Sequence, residues 1–403
     1  MNILVINCGS SSLKIQFIQM ETKQATAVIL CDRIGEKNSK IKYSTITGEK
    51  REEQVYLPTH AKAIRVVLAY LTDAKIGVIQ DLSEIHAVGH RVVHGAEIFS
   101  DSIQINETVM EQIEACAGLA PLHNPANISG IIACQELLSM TPQVAVFDTA
   151  FHQTMPSEAY FYGIPYRYYK EHGVRRYGFH GTSHCFVSKQ AALFLQKDFT
   201  KLKMIVCHLG NGASVTAVRD GKSIDTSMGL TPLEGLIMGT RSGDLDPAII
   251  EFIAHKEKKT MEEVVEILNK KSGVLGLSEG LSSDFRDLLD GYQSGHAGAI
   301  RAINAYTYRI AKYIGAYAVA MGGLDAIVFT AGIGENSGLV RELICNRLEF
   351  LGATLDHEQN NSAKGNRCIS KDDSKVELLV IPTNEELSIA EETCKVLGVC
   401  FDT

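Results

Sequence analysis

Two stretches of this 403-residue chain share one pattern. Residues 2–17 read NILVINCGSSSLKIQF, and residues 205–218 read IVCHLGNGASVTAV. In each, an apolar run ends at a polar residue (Asn7, then His208), small residues turn the chain, and apolar and polar residues alternate back out. Alternation with period two is the pattern of a strand with distinct faces. Each stretch therefore predicts a β-hairpin, with Leu13, Ile15 and Phe17 pointing one way and Lys14 and Gln16 the other. A turn of glycine and serine leaves backbone N–H groups and hydroxyls to face an anion. Gly9 matches Gly210, Asn7 matches His208 and Ser10 matches Asn211, about half the chain apart. This recurrence predicts duplication of one α/β domain. Two such domains facing each other would set the hairpins across a cleft, each holding part of a polyphosphate. Two unrelated glycine-rich hairpins are the simpler alternative.

A third strand with a glycine-rich link is read in LDAIVFTAGIGENS, residues 324–337. It has neither the GxxxxGK[ST] of a P-loop nor a full GxGxxG. Small residues at a strand end still allow close backbone approach to a flat or anionic ligand. Residues 59–71, 127–138, 261–269, 298–319 and 385–396 read as helices, and residues 144–147 and 376–381 as strands. Alternating strands and helices predict α/β layers. With 45% hydrophobic residues, 34 glycines and only 9 prolines, the chain can build more than one core joined by tight turns. A formal charge of -8 without a long basic tract argues against nucleic acid as a partner. No apolar run reaches membrane-spanning length, and no signal peptide is read before Asn2. Ten scattered cysteines without a CxxC pair fit a reduced, cytoplasmic chain without a zinc site.

Polar residues at strand ends are the candidates for chemistry. Asp148 directly follows VAVF, where a carboxylate orients a nucleophile, holds magnesium through water, or caps the next element. Arg91 and Arg241 lie among small residues, and a guanidinium fork suits a carboxylate or a phosphoryl group; a structural ion pair is the ordinary alternative. In RRYGFHGTSH, His180 reads as an anion or transition-state contact and His184 as structural. The pair lacks the glutamate of HExxH. Glu385 opens the last helix, so it either complements the helix N-terminus or binds magnesium.

The motifs together resemble the acetokinase family over essentially the whole chain. They are NCGSSSLK (7–14), HRVVHG (90–95), DTAFHQTMP (148–156), RRYGFHGTSH (175–184), HLGNGAS (208–214), TSMGLTPLEGLIMGTRSGDLDP (226–247) and GIGEN (332–336). The resemblance implies an α/β fold of duplicated ribonuclease-H-like domains around a central cleft, of the actin, Hsp70 and sugar kinase type. It implies an N-terminal domain over 1–150, joined by a C-terminal helix over 386–403, and a nucleotide-binding domain over 151–385. It also implies a homodimer. The implied activity is reversible, magnesium-dependent, direct in-line transfer of the ATP γ-phosphoryl group to acetate, giving ADP and acetyl phosphate; manganese also suits. Propionate as acceptor is the alternative, and a non-enzymatic ATP-gated module a more distant one.

Roles carried over from the family fall on residues of this chain. Arg91, Asp148, His180 and Arg241 are expected at the reaction centre, and Asn7 and Glu385 at the metal. Ser10, Ser12, Lys14, His208, Asn211, Gly212, Gly332, Ile333, Gly334 and Asn336 are expected along the nucleotide. Val93, Leu122, Phe179 and Pro232 are expected to line a small apolar pocket for the methyl group. Arg91→Ala or Arg241→Ala is expected to cut turnover by orders of magnitude and leave the fold intact.

Overall fold

The computed structural model describes residues 1–120, 123–362 and 365–399. The chain forms two compact units, Met1–Ala150 with Asn384–Thr403, and Phe151–Thr383.

The first unit carries strands β1 (Asn2–Cys8), β2 (Ser12–Gln19), β3 (Gln24–Asp32), β4 (Lys40–Thr45), β5 (Lys50–Gln54), β6 (Ala87–Val92), β7 (Ile103–Gln104) and β8 (Gln143–Phe147). They form one sheet in the order β5-β4-β3-β2-β1-β6-β8-β7. The second unit carries β9 (Lys203–Leu209), β10 (Ala213–Arg219), β11 (Lys222–Thr226), β12 (Ala326–Thr330), β13 (Arg367–Cys368) and β14 (Glu377–Val380), in the order β11-β10-β9-β12-β14-β13.

Within these sheets, β3-β2-β1-β6-β8 and β11-β10-β9-β12-β14 are the same arrangement. In each, the first three strands in sequence form an antiparallel meander. The first strand then pairs in parallel with the fourth, and the fourth with the fifth. The two units are similar sheet-and-helix lobes, as the repeated hairpin predicts.

Both central strands are buried on two faces, which is why they read as nearly unbroken apolar runs. On β1, Leu4, Ile6 and Cys8 pack with Ile64, Val67 and Leu68 of the helix His60–Leu71 and with Ala133 and Cys134 of Asn124–Leu137. Ile3 and Val5 face the other way, against Ile389, Ala390 and Cys394 of the helix Glu385–Val396. On β9, Met204 and Val206 pack with Val187 and Ala191 of the helix Gly181–Phe194. The long helix Ala297–Met321 also packs on β9 and β10.

Most predicted elements recur with small shifts at their ends. Residues 331–336 differ in kind: they form a short helix, Ala331–Asn336, rather than an open link. A segment with two glycines has weak helical propensity. It is held by Arg341, whose buried guanidinium donates to the carbonyls of Gly334 and Glu335 at 2.8 and 3.0 Å. Among the described residues all nine cysteines are unbridged, and no helix is long and apolar enough to cross a membrane.

The helix Glu385–Val396 approaches β6 where Gly89 has no side chain. A Cβ there would lie 2.5 Å from Thr393 Oγ1 and 2.8 Å from Ile389 Cγ2. Gly89→Ala is therefore expected to destabilise the first unit by about 1–3 kcal/mol, the usual cost of overpacking. Urea unfolding monitored by circular dichroism checks this, and an unchanged midpoint would contradict the close packing.

Candidate active site

In the first unit, strand parity gathers the polar residues. Asn7 has the parity of Ile3 and Val5, Arg91 that of Ala87, and Asp148 that of Val144 and Val146. All three thus share the face covered by the helix Glu385–Val396, at or just past the C-terminal ends of the neighbouring parallel strands β1, β6 and β8. Lys14 pairs with Asn7 across the β1–β2 ladder and meets Glu386 at 2.5 Å.

Arg91 is the centre of this cluster. Its Nε donates to both carboxylate oxygens of Asp148 at 3.1 Å, and Nη2 donates to Oδ2. Nη1 donates to Asn7 Oδ1 at 3.1 Å. The Asp148 side chain is only 1% exposed, and Arg91 is the cation paired with it. Burial by itself would lower the pKa of Arg91, but Asp148, Glu385 and Glu386 more than offset it and raise it. Arg91 is permanently a cation. Asp148 is buried and has both oxygens engaged by Arg91, so it is not an exposed base. Burial raises the pKa of Glu385, and Arg91 opposes the rise.

Among the described residues no group of three or more His, Cys, Asp or Glu side chains forms a metal cage. The donor set nevertheless suits magnesium, which takes one or two carboxylates and fills its shell with water and phosphate oxygens. Glu385 supplies a largely desolvated carboxylate beside Arg91, and Asn7 an amide oxygen.

The second unit repeats the arrangement with other residues. His208 and Ser214 are register partners across β9 and β10, as Asn7 and Lys14 are across β1 and β2. His180 stands at the N-cap of the helix Gly181–Phe194 in the left-handed conformation, with φ 59°. Its ring stacks on that of His208, centroids 4.2 Å apart. His180 Nδ1 lies 2.9 Å from Ser214 Oγ, and His184 Nε2 lies 2.7 Å from the same hydroxyl. His208 Nδ1 lies 2.8 Å from Ser183 Oγ, which lies 2.8 Å from Thr383 Oγ1.

Gly212 keeps this corner open: a Cβ there would sit 3.4 Å from Arg241 Nη1 and 3.6 Å from Cε1 and Nε2 of His180. Arg241 donates to the Pro232 carbonyl at 3.4 Å and has no carboxylate partner among the described residues. Burial lowers its pKa. An unpaired, partly buried guanidinium beside an imidazole and a glycine loop is suited to receive an anion.

A cavity of about 630 Å³ lies in the same unit, lined by Gly210, Asn211, Gly332, Ile333 and Asn336 together with Ser283, Asp284, Phe285, Arg286 and Leu289. Sequence reasoning missed this second group. Its one local signal was a helix start, since Asp284 caps Phe285–Gln293 and ties down Arg286. Gly334 does not line the cavity and packs instead toward the backbone of Phe329 and Cys207. Ser10 and Ser12 lie at the first hairpin, where Gly9 N–H donates to the Ser12 carbonyl at 2.8 Å. Of the expected apolar pocket, Val93 is buried in the first unit, and Phe179 and Pro232 lie in the second. Leu122 lies outside the described residues.

Two similar α/β lobes, each ending its central strands in polar side chains beside an arginine, define a protein built to handle anions. The acetokinase family profile matches residues 2–391. A relative named acetate kinase from Agathobacter rectalis is 58% identical over 399 residues, covering 99% of this chain and 100% of that protein. The crystal structure of Porphyromonas gingivalis acetate kinase superposes with a TM-score of 0.95 at 47% identity, covering 98% of this chain and 99% of the other. A propionate kinase from Francisella tularensis gives 0.92 at 44%, with the same coverage. The chain belongs to the acetokinase family.

The Arg91–Asp148 geometry corrects one expectation. Arg91→Ala leaves a buried carboxylate without its counter-charge, so the fold is not spared: a loss of about 3–5 kcal/mol is expected. Adding Asp148→Asn should restore much of it, and additive losses in urea melts would contradict the coupling.

Stability should also depend on acid. His152 is buried between Ser223 Oγ and the Phe179 carbonyl, and burial lowers its pKa from 6.5 to about 4. Between those values the unfolded chain binds more protons than the folded one, so stability rises with pH. This contribution is complete above about 6.5 and is lost progressively toward 4. Urea midpoints across that range should fall with acidification, and His152→Gln should flatten the dependence.

Proposed function

We propose that this chain is an acetate kinase, transferring the γ-phosphoryl group of ATP reversibly to acetate to give acetyl phosphate and ADP. The observation that carries this reading is the full-length identity to proteins of that name, 58% in the Agathobacter rectalis relative. The finer fold assignment is duplicated ribonuclease-H-like domains, and the proposed assembly is a cytoplasmic homodimer.

The acceptor is already a carboxylate at neutral pH. It needs no base to remove a proton, which agrees with Asp148 having both oxygens spent on Arg91. An acetate oxygen attacks γ-phosphorus in line while the bond to the β,γ-bridging oxygen breaks, and the electron pair leaves on ADP. No phosphoenzyme intervenes. The barrier is mutual repulsion of anions and charge on the equatorial oxygens, so catalysis is positioning and positive charge. Arg91, fixed by Asp148 and Asn7, and Arg241, without a competing carboxylate among the described residues, are assigned to that charge. His180 is assigned to the transferring group.

Magnesium, held through Asn7 and Glu385 with manganese as a substitute, would neutralise phosphate oxygens when bound. Ser10, Ser12 and Lys14, with His208, Asn211 and Gly212, are assigned to the phosphates. The cavity containing Gly332, Ile333 and Asn336 is assigned to the nucleoside. Val93, Leu122, Phe179 and Pro232 are assigned to the methyl group.

Propionate phosphorylation is the second reading, favoured by the 0.92 TM-score to a structure named propionate kinase. One methylene in an apolar pocket is worth only about 1–3 kcal/mol. Trapping the acyl phosphate with hydroxylamine, with MgATP and acetate, propionate or butyrate in parallel, separates the two. The highest kcat/KM is expected with acetate. A preference for propionate changes the acceptor, and no product with any acid, with pyrophosphate also tried as donor, overturns the proposal.

Arg241→Ala should lower kcat by about 10²–10³, the scale of losing one transition-state donor. Its urea midpoint should stay near the parent's, since Arg241 balances no buried charge among the described residues. Near-normal turnover would remove Arg241 from the site.

A further inference from the structure

Four histidines of the second unit touch in a chain. The ring of His152 lies 5.8 Å from His184, His184 lies 6.1 Å from His208, and His208 stacks on His180 at 4.2 Å. The proposed reaction gives a task to the last two only. His184 and Ser214 are wholly buried and are otherwise unexplained.

Their hydrogen bonds restrict where protons reside. Ser214 Oγ lies within bonding distance of both His180 Nδ1 and His184 Nε2, yet a hydroxyl donates only once. His184 Nδ1 is buried and has no hydrogen-bond partner among the described residues. A neutral imidazole carries one N–H, and a buried N–H without an acceptor is rarer than an unused lone pair. The His184 proton therefore belongs on Nε2, where it is donated to Ser214 Oγ. The Ser214 hydroxyl then turns its own proton to His180 Nδ1, which must be a lone pair. His180 is left with its proton on Nε2, the nitrogen beside Gly212 in the corner that Arg241 shares.

We propose that Ser214 and His184 are positioning residues that fix His180 as the Nε2–H tautomer, so that it presents a hydrogen-bond donor to the anion bound beside Gly212 and Arg241. The donor direction follows from the buried network; its use in phosphoryl transfer rests on the acetate kinase reading. Around His180 stand His184 on its own helix, His208 on β9 and Arg241 beyond Gly212. His184 is itself neutral, because burial, with His152 and His208 adding, holds its pKa well below 6.5. Strand register places the relay. Ser214 is paired with His208, so one β9–β10 rung supplies both the ring that stacks on His180 and the hydroxyl that orients it.

The test reads protons before it reads turnover. Long-range ¹H–¹⁵N correlation spectra of the intact protein, labelled at histidine, report each tautomer. His180 and His184 are assigned by His180→Asn and His184→Asn. Both are expected as Nε2–H in the parent protein near neutral pH, and Ser214→Ala should abolish the single-tautomer pattern of His180. A parent His180 or His184 protonated at Nδ1, or an unchanged His180 pattern in Ser214→Ala, overturns the proposal. The parent spectrum decides even where the variant fails to fold. In hydroxylamine assays Ser214→Ala should lower kcat about tenfold, with KM for ATP within about twofold, the pattern of a contact made in the transition state. A fall in kcat/KM wholly through KM would make Ser214 a packing residue and overturn the positioning role. A parent protein without kinase activity would defeat the functional reading and leave the tautomer result standing.

Discussion

Everything in this protein hangs on a central strand with two buried faces. On β1 and again on β9, side chains alternate between two layers of helix, so parity alone decides which helix a residue meets. When the apolar run ends, parity persists. Asn7 comes out facing the N-terminus of Glu385–Val396, and His208 faces Ser183 on Gly181–Phe194. A slip of one residue in either strand would turn these groups to the wrong layer. The chemistry of the site is thus a continuation of core packing.

The two lobes use this shared frame in different electrostatic states. In the first, Arg91 is matched by a buried carboxylate and an amide, which makes it rigid and permanently charged. In the second, the strand ends carry imidazoles and hydroxyls, and Arg241 has no carboxylate partner among the described residues. A cation already balanced serves as a fixed element of the site. An unbalanced one gains most when an anion arrives. The two similar scaffolds carry different residues at matched positions, Asn7 with His208 and Lys14 with Ser214.

Local pattern made much of this visible. The hairpin at residues 2–17 could be read because period two and a small-residue turn are properties of adjacent residues. The closing helix could be read from its own apolar spacing, and it runs Glu385–Val396 as expected. The glycine-rich segment 331–336 was misread as a link because Arg341, which holds its carbonyls, acts through side-chain geometry rather than propensity. The cavity side formed by Ser283, Asp284, Phe285, Arg286 and Leu289 has no signature beyond an ordinary helix cap.

The sequence alone determined the repeated α/β architecture, the strand faces and the identity of the polar residues at the strand ends. These depend on periodicity and on residue type. Only the tertiary structure decided that both oxygens of Asp148 are occupied by Arg91, that Arg241 meets no carboxylate among the described residues, and that one buried serine stands between His180 and His184. Such facts depend on which groups distant in the chain share a low-dielectric space. There a single hydrogen bond or charge is worth far more than in water, and no local pattern records it.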